Sequence, residues 1–147
     1  MNTPIGMLLD QKGSSVVTVA DTASVADAVR VMNEHRIGSV VVQSTRGLAG
    51  IFTERDVLTR VVAAGRNPYV TRVNDVMTSD VVTVSPRNTV GEILDLFTSR
   101  RCRHLPVLEE GEMVGLISMG DISRWLAEKH RAEAEHLRSY IAGNLAT

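Results

Sequence analysis

Hydrophobic and polar positions along the chain alternate between two periods, and each stretch of one period occurs twice. Val16-Val17-Thr18-Val19 is a short β-branched run, the composition of a strand. Val25, Ala28, Val29 and Met32 follow at helical spacing, which predicts a helix buried along one face. Ser39–Gln43 and Leu48–Thr53 return to strand patterning around the turn Ser44-Thr45-Arg46-Gly47, and a second helix starts near Thr53. The series then repeats 65 residues later. Val81-Val82-Thr83-Val84 is the strand, Val90, Ile93, Leu94 and Phe97 the helical face, and His104–Leu108 and Met113–Ser118 the paired strands around Glu109-Glu110-Gly111-Glu112. Another helix starts near Ser118. The same shift carries Arg36 to Arg101, Val42 to Val107, Gly50 to Gly115 and Asp56 to Asp121 without a gap. Chance rarely holds one register over such a length, so the chain is a tandem duplication.

Each repeat therefore reads strand, helix, strand, strand, helix. The helix between the first two strands sets them parallel with a right-handed crossover, and the last two strands form a hairpin. One such unit of about 50 residues is too small for a comfortable core of its own. The two units are expected to pack sheet to sheet about a pseudo-two-fold axis in an α/β (α+β) fold, with two equivalent clefts beside the axis. Residues 1–72 and 73–147 are the corresponding halves.

Helix starts are marked by capping boxes, in which each side chain satisfies an orphan backbone donor: Ser24 with Asp27, and Thr89 with Glu92. Thr3-Pro4 predicts a further short helix over Ile5–Gln11, with proline in the first turn. A long C-terminal helix is expected from Gly120 to about Ala142, ending at Gly143, roughly 33 Å at 1.5 Å per residue. Its opposite-charge i,i+4 pairs are Arg124/Glu128, Lys129/Glu133 and Arg131/Glu135. Ile122, Trp125, Leu126, Leu137, Tyr140 and Ile141 are its apolar positions. A helix of that length overshoots one core, so its far end is expected to pack on a partner chain.

Composition narrows the function. A hydrophobic fraction of 44% over 147 residues supports a folded core, and 22% charged residues argue against disorder. A net charge of −1 offers no global field for nucleic acid, and 3% aromatics leave few stacking platforms. The single cysteine, Cys102, excludes an intrachain disulfide and suits a reducing compartment. Met1–Asp10 lacks the basic and apolar regions of a signal peptide, and no stretch approaches the roughly 18 apolar residues of a membrane span. A soluble cytoplasmic protein is expected.

The candidate chemistry sits where the third strand of each repeat runs into a helix. Gly50, Thr53 and Asp56 recur as Gly115, Ser118 and Asp121. A strand-to-helix junction presents free N–H groups and a positive dipole end, which attract anions. The hydroxyl can donate to a phosphate, and the aspartate can accept two hydrogen bonds from a ribose cis-diol. The same residues also spell S/T-x-x-D capping boxes, a purely structural role. Arg100, Arg101, Arg103 and His104 form a basic cluster that suits either a polyphosphate or a solvated helix end. Arg55 reads as a surface residue. Cys102 falls where the first repeat has Ile37 and reads as a packed thiol. Cys102 and His104 make too weak a spacing for a metal site. No general base stands beside an oriented nucleophile, so no catalytic residue and no enzyme activity is expected.

From Val16 to Trp125 the chain resembles a tandem pair of cystathionine-β-synthase (CBS) domains, the Bateman module. The resemblance rests on Val73-Asn74-Asp75-Val76-Met77-Thr78, the two Val-Val-Thr-Val runs, Arg103-His104-Leu105-Pro106-Val107 and the two Gly-hydroxyl-Asp junctions. The N-terminal helix and the tail Tyr140-Ile141-Ala142-Gly143 resemble free-standing bacterial members. The resemblance implies a regulatory module whose clefts take adenosyl ligands: AMP, ADP, ATP with or without magnesium, NAD(H) or S-adenosylmethionine. It implies that Asp121 and Ser118 pair with Val17, Ile37, Gly38 and Ser39 in one cleft. Asp56 and Thr53 pair with Val82, Cys102, Arg103 and His104 in the other. The first repeat departs from the pattern with Val41 at the place of Pro106, and has Arg55 where the second has Gly120. Unequal clefts are therefore expected. The resemblance also implies a homodimer, with Val57, Leu58, Val61, Val62, Ile122, Trp125 and Leu126 as its contact set, and an output through a protein partner. A non-catalytic interaction module with vestigial clefts is the other reading.

Overall fold

The structure is a computed structural model that describes residues 1–12 and 16–145. The order is α1 (Ile5–Lys12), β1 (Thr18–Ala20), α2 (Val25–His35), β2 (Ser39–Ser44), β3 (Gly47–Thr53), α3 (Glu54–Asp56) with a π-helical continuation over Val57–Val62, α4 (Val73–Val76), α5 (Val90–Arg100), β4 (His104–Glu109), β5 (Glu112–Ser118) and α6 (Met119–Leu145). The fold is α+β, as expected. Its first sheet has the order β1-β2-β3, with β1 parallel and β3 antiparallel to β2; its second contains β4 and β5, antiparallel. The duplication extends to irregularities. Both hairpins shift register at the same step, Val42/Gln43 and Val107/Leu108. Both crossover helices end on an arginine in the left-handed region, Arg36 at φ 54° and Arg101 at φ 52°. A non-glycine residue there is uncommon. It turns the chain sharply from helix into the next strand, which starts three residues later.

Several local expectations change. Val81–Val84 is not a strand: its tie to β4 is one parallel bridge, Val84 to Val107. Proline is the reason. In the first repeat the Val41 N–H donates to the Val17 carbonyl at 3.2 Å. Pro106 stands at the Val41 position and has no N–H to give, so that rung is lost. The remaining rung holds, with Val84 N–H to the Pro106 carbonyl and Leu108 N–H to the Val84 carbonyl. Second, the Thr89–Glu92 box is reciprocal, but at Ser24 only half forms. The Ser24 hydroxyl accepts from Asp27 N–H, while the Asp27 carboxylate turns to Arg30 at 2.6 Å. Third, α6 passes through Gly143 to Leu145. On α6, Arg124 pairs with Asp121 rather than Glu128, and Lys129 lies 5.1 Å from the Trp125 ring. Pro4 precedes α1 rather than lying in it, and bridges to Thr89.

Two apolar clusters form, and each is completed from outside its own repeat. The first contains Val25, Val40, Val42 and Phe52 with Val73 and Val76 of α4. The second contains Val90, Ile93, Leu105 and Ile117 with Ile5, Leu8 and Leu9 of α1. The N-terminal helix thus serves the second repeat. Ile5 N–H donates to Asn88, Gly6 N–H to Pro86, and Val90 N–H to Thr3. In the matching exchange, Val25 N–H donates to Thr71 and Val73 N–H to Ala23. The halves 1–72 and 73–147 therefore trade segments in both directions. The two junction glycines admit these segments. A Cβ on Gly50 would stand 2.5 Å from the Thr78 carbonyl oxygen, and one on Gly115 would stand 2.8 Å from a Leu9 methyl.

Candidate functional site

The first junction is a complete capping box. Thr53 Oγ1 accepts from the Asp56 N–H at 3.2 Å; Asp56 Oδ2 accepts from the Thr53 N–H at 3.0 Å and from the Thr53 hydroxyl at 3.2 Å. The structural role of this motif is therefore real. It also fixes the carboxylate on a one-turn helix and leaves Oδ1 outside the cap. Asp56 Oδ1 has the Arg60 guanidinium at 3.6 Å, beyond hydrogen-bond range. Arg60 spends its donors instead on the Met77 carbonyl at 2.9 Å.

This junction opens on a cavity of about 740 Å³ between the two repeats, a size that accommodates a small organic ligand. The first repeat contributes Gly38, Thr53, Glu54, Arg55, Asp56 and Thr59 among its walls. The second contributes Val82, Arg100, Arg101, Cys102, Arg103 and His104. The left-handed turn at Arg101 is what brings residues 102–104 to this wall. Thr53, Asp56, Val82, Cys102, Arg103 and His104, expected together, do line one cavity. Arg100, Arg101 and Arg55 join them: the basic cluster ends α5, its arginines stay exposed and it also lines the cleft, as does the exposed Arg55.

Burial pushes the Cys102 thiol above its ordinary value, against the opposing field of Arg100. Its sulfur lies 3.9 Å from the Leu96 carbonyl, and the side chain packs on the second apolar cluster. It is a protonated wall residue, not a nucleophile. Burial also lowers the pKa of His104, aided by the nearby positive charges of Lys12 and Arg103 and opposed by Asp121 and Glu54. His104 is therefore neutral at pH 7, one nitrogen donating and one accepting.

The second junction repeats the box and adds to it. Asp121 Oδ2 accepts from the Ser118 N–H at 2.8 Å and the Ser118 hydroxyl at 2.9 Å, and Ser118 Oγ accepts from the Asp121 N–H at 3.2 Å. The Lys12 ammonium then donates to the same Oδ2 at 2.7 Å and to the Leu116 carbonyl at 2.7 Å. Arg124 holds Oδ1 at 2.5 Å. Burial raises the Asp121 pKa, but the hydrogen bond and charge of Lys12, with the Ser118 donors, outweigh it and leave the carboxyl below its ordinary range. Of the partners expected for this junction, Ser39 is buried, Val17 packs on the first apolar cluster and Ile37 is 37% exposed. Gly38 lines the Asp56 cavity, under the Glu54 carboxylate. Lys12 carried no signal in the sequence, because its nearness to Asp121 depends on the exchange of helices between repeats.

The expected contact set divides. Val61 and Ile122 are each 1% exposed and belong to the apolar clusters. Val57, Trp125 and Leu126 are half-buried against the same clusters. Leu58 and Val62 stay exposed. Among the described residues no helix is long and apolar enough to cross a membrane.

Comparison with known proteins agrees with this architecture. A family model described as CBS domain matches residues 13–63 and again residues 73–128. The mitochondrial CBS domain-containing protein CBSX3 of Arabidopsis thaliana is 37% identical over 97% of this chain and 73% of its own length. A solved structure from Burkholderia ambifaria, named for signal transduction and its CBS domains, superimposes with a TM-score of 0.80 at 38% identity, covering 83% of this chain and 92% of the other. A hexameric CBS-CP12 protein from bloom-forming cyanobacteria superimposes with a TM-score of 0.69 at 29% identity, over 89% of this chain and 83% of its own.

Proposed function

The chain belongs to the CBS domain family, and from that premise we propose that it is a regulatory module that senses an adenine nucleotide bound between its two repeats. The observation that carries this reading is the cavity at Asp56. There one carboxylate oxygen is fixed by the cap, and the other, ion-paired with Arg60 at 3.6 Å, makes no hydrogen bond and can accept from a ribose diol. Across the cavity, Arg100, Arg101 and Arg103 offer guanidinium groups to phosphate. AMP, ADP, ATP with or without magnesium, and NAD(H) all carry this ribose and phosphate chemistry. Glu54 and Asp80 also line the cavity, and are the carboxylates present that suit a phosphate-bound magnesium.

A ligand gripped by both repeats favours one relative placement of them. That shift is read outside the chain only if the ligand binds the two placements with different affinity. Exposed Leu58 and Val62 on one side, and Leu137, Tyr140 and Ile141 along α6, are the apolar surfaces through which a homodimer or protein partner would read it. A hexameric relative supports self-association as the output.

The completed capping boxes favour a second reading, an interaction module whose junctions are structural only. A thermal-shift screen of nucleotide-stripped protein separates the two. At about 100 times its dissociation constant a ligand adds roughly 2.7 kcal/mol. The sensing reading expects a raised midpoint with AMP, ADP, ATP or NAD(H) that Asp56→Asn abolishes. No shift with any of them at millimolar concentration supports the interaction module and sinks the sensor.

A further inference from the structure

Asp56 and Asp121 occupy the same register, yet their carboxylates are engaged differently. An ionised carboxylate accepts about four hydrogen bonds in all. Asp56 uses two within its cap, both on Oδ2. Asp121 uses four: two from Ser118, one from Lys12 and one from Arg124. A ribose diol therefore finds Asp56 Oδ1 free of any hydrogen bond, with only the Arg60 ion pair at 3.6 Å, whereas at Asp121 Oδ1 already accepts from Arg124 and Oδ2 carries the Lys12 ammonium beside its cap.

The two cations on Asp121 are not equally hard to displace. Arg124 lies one turn along the same helix and its side chain is 70% exposed, so water replaces it at small cost. Lys12 is half as exposed and is held at a second point by the Leu116 carbonyl. Its stem rises from α1, which is anchored by Ile5, Leu8 and Leu9 in the second apolar cluster. Displacing it removes the donor of a strand carbonyl and leaves an ammonium near His104, whose proton affinity already registers its charge. Resting on the nucleotide reading above, we propose that Lys12 selects between the clefts: it acts as a tethered occupant of the Asp121 junction, so that each chain takes one nucleotide, at Asp56.

Binding stoichiometry tests this. The probe is AMP, the fragment common to AMP, ADP, ATP and NAD, followed by titration calorimetry on the full chain. The natural protein should bind one AMP per chain, and Asp56→Asn should bind none. Lys12→Met keeps the aliphatic stem at a partly exposed position and should bind two. Lys12→Met combined with Asp56→Asn should return to one. Two sites in the natural chain, one site surviving in Asp56→Asn, or one site still in Lys12→Met would each overturn the assignment of Lys12 while leaving the nucleotide reading intact. No AMP bound by any of the proteins overturns the nucleotide reading, and the assignment with it.

Discussion

Gly50 and Gly115 lie at the same place in the two repeats, and each is crossed by a segment that enters from elsewhere in the chain. Over Gly50 that segment is backbone. Helix α4 stops at Val76, Met77 is extended, and Thr78 exchanges two hydrogen bonds with Ile51 at 2.9 and 3.0 Å. Over Gly115 the segment is a helix. Helix α1 runs on to Lys12, Leu9 covers the glycine, and the Lys12 ammonium takes the carbonyl of Leu116, the counterpart of Ile51. The same acceptor is satisfied by an N–H in one repeat and by a charge in the other. A duplicated framework thus holds two chemically different junctions. The difference comes from the segments that cross them: the same shift of 65 sets Lys12 of α1 against Met77, which follows α4.

The sharpest way to break that comparison is at the glycines. Gly50→Ala forces its methyl against backbone, which cannot step aside, and should cost up to about 3 kcal/mol in urea unfolding, at the upper end for overpacking. Gly115→Ala meets the tip of a leucine, which can rotate, and should cost about 1 kcal/mol or less. Equal losses would mean that backbone and side-chain crossings are equally rigid.

A smaller effect is expected at the helix starts. Thr89→Ala removes the cap of the reciprocal box and should destabilise by about 1 kcal/mol. Ser24→Ala removes a single bond, since Asp27 already faces Arg30, and should cost less. Thermal melts of the two variants measure the gap, and a larger loss at Ser24 would contradict the half-formed box.

The smallest effect is one of pH. The first repeat has Ser39 where the second has His104. Burial holds the folded His104 pKa below its ordinary value of 6.5, so the unfolded chain takes up the proton first. The stability this gives is fully present above pH 6.5 and is lost as pH falls from there through the folded value. His104→Ser should flatten the fall in stability between neutral pH and the folded pKa. An unchanged slope would place the titration elsewhere.

Much of this was legible from the chain. The helical faces Val25/Ala28/Met32 and Val90/Ile93/Phe97, the hairpins and the Thr53–Asp56 and Ser118–Asp121 boxes all follow from periodicity and contacts three residues apart. The loss of the Val81–Val84 strand was written in Pro106, but its meaning depends on which neighbour that missing N–H would have faced. Val61 and Ile122 look like surface apolar residues until the exchanged helices are placed around them.

By itself the sequence determined the duplication, most of the element types and the junction caps at Thr53–Asp56 and Ser118–Asp121; the partners of Asp56 across the cleft came from the family resemblance. Each of these depends on local hydrogen bonds, side-chain spacing or a motif that repeats in register. Only the tertiary structure decided which helix completes which repeat, and so which carboxylate is already satisfied. Lys12 and Asp121 are 109 residues apart. No local pattern encodes a contact of that range, because it exists only after two distant apolar faces have been buried against each other.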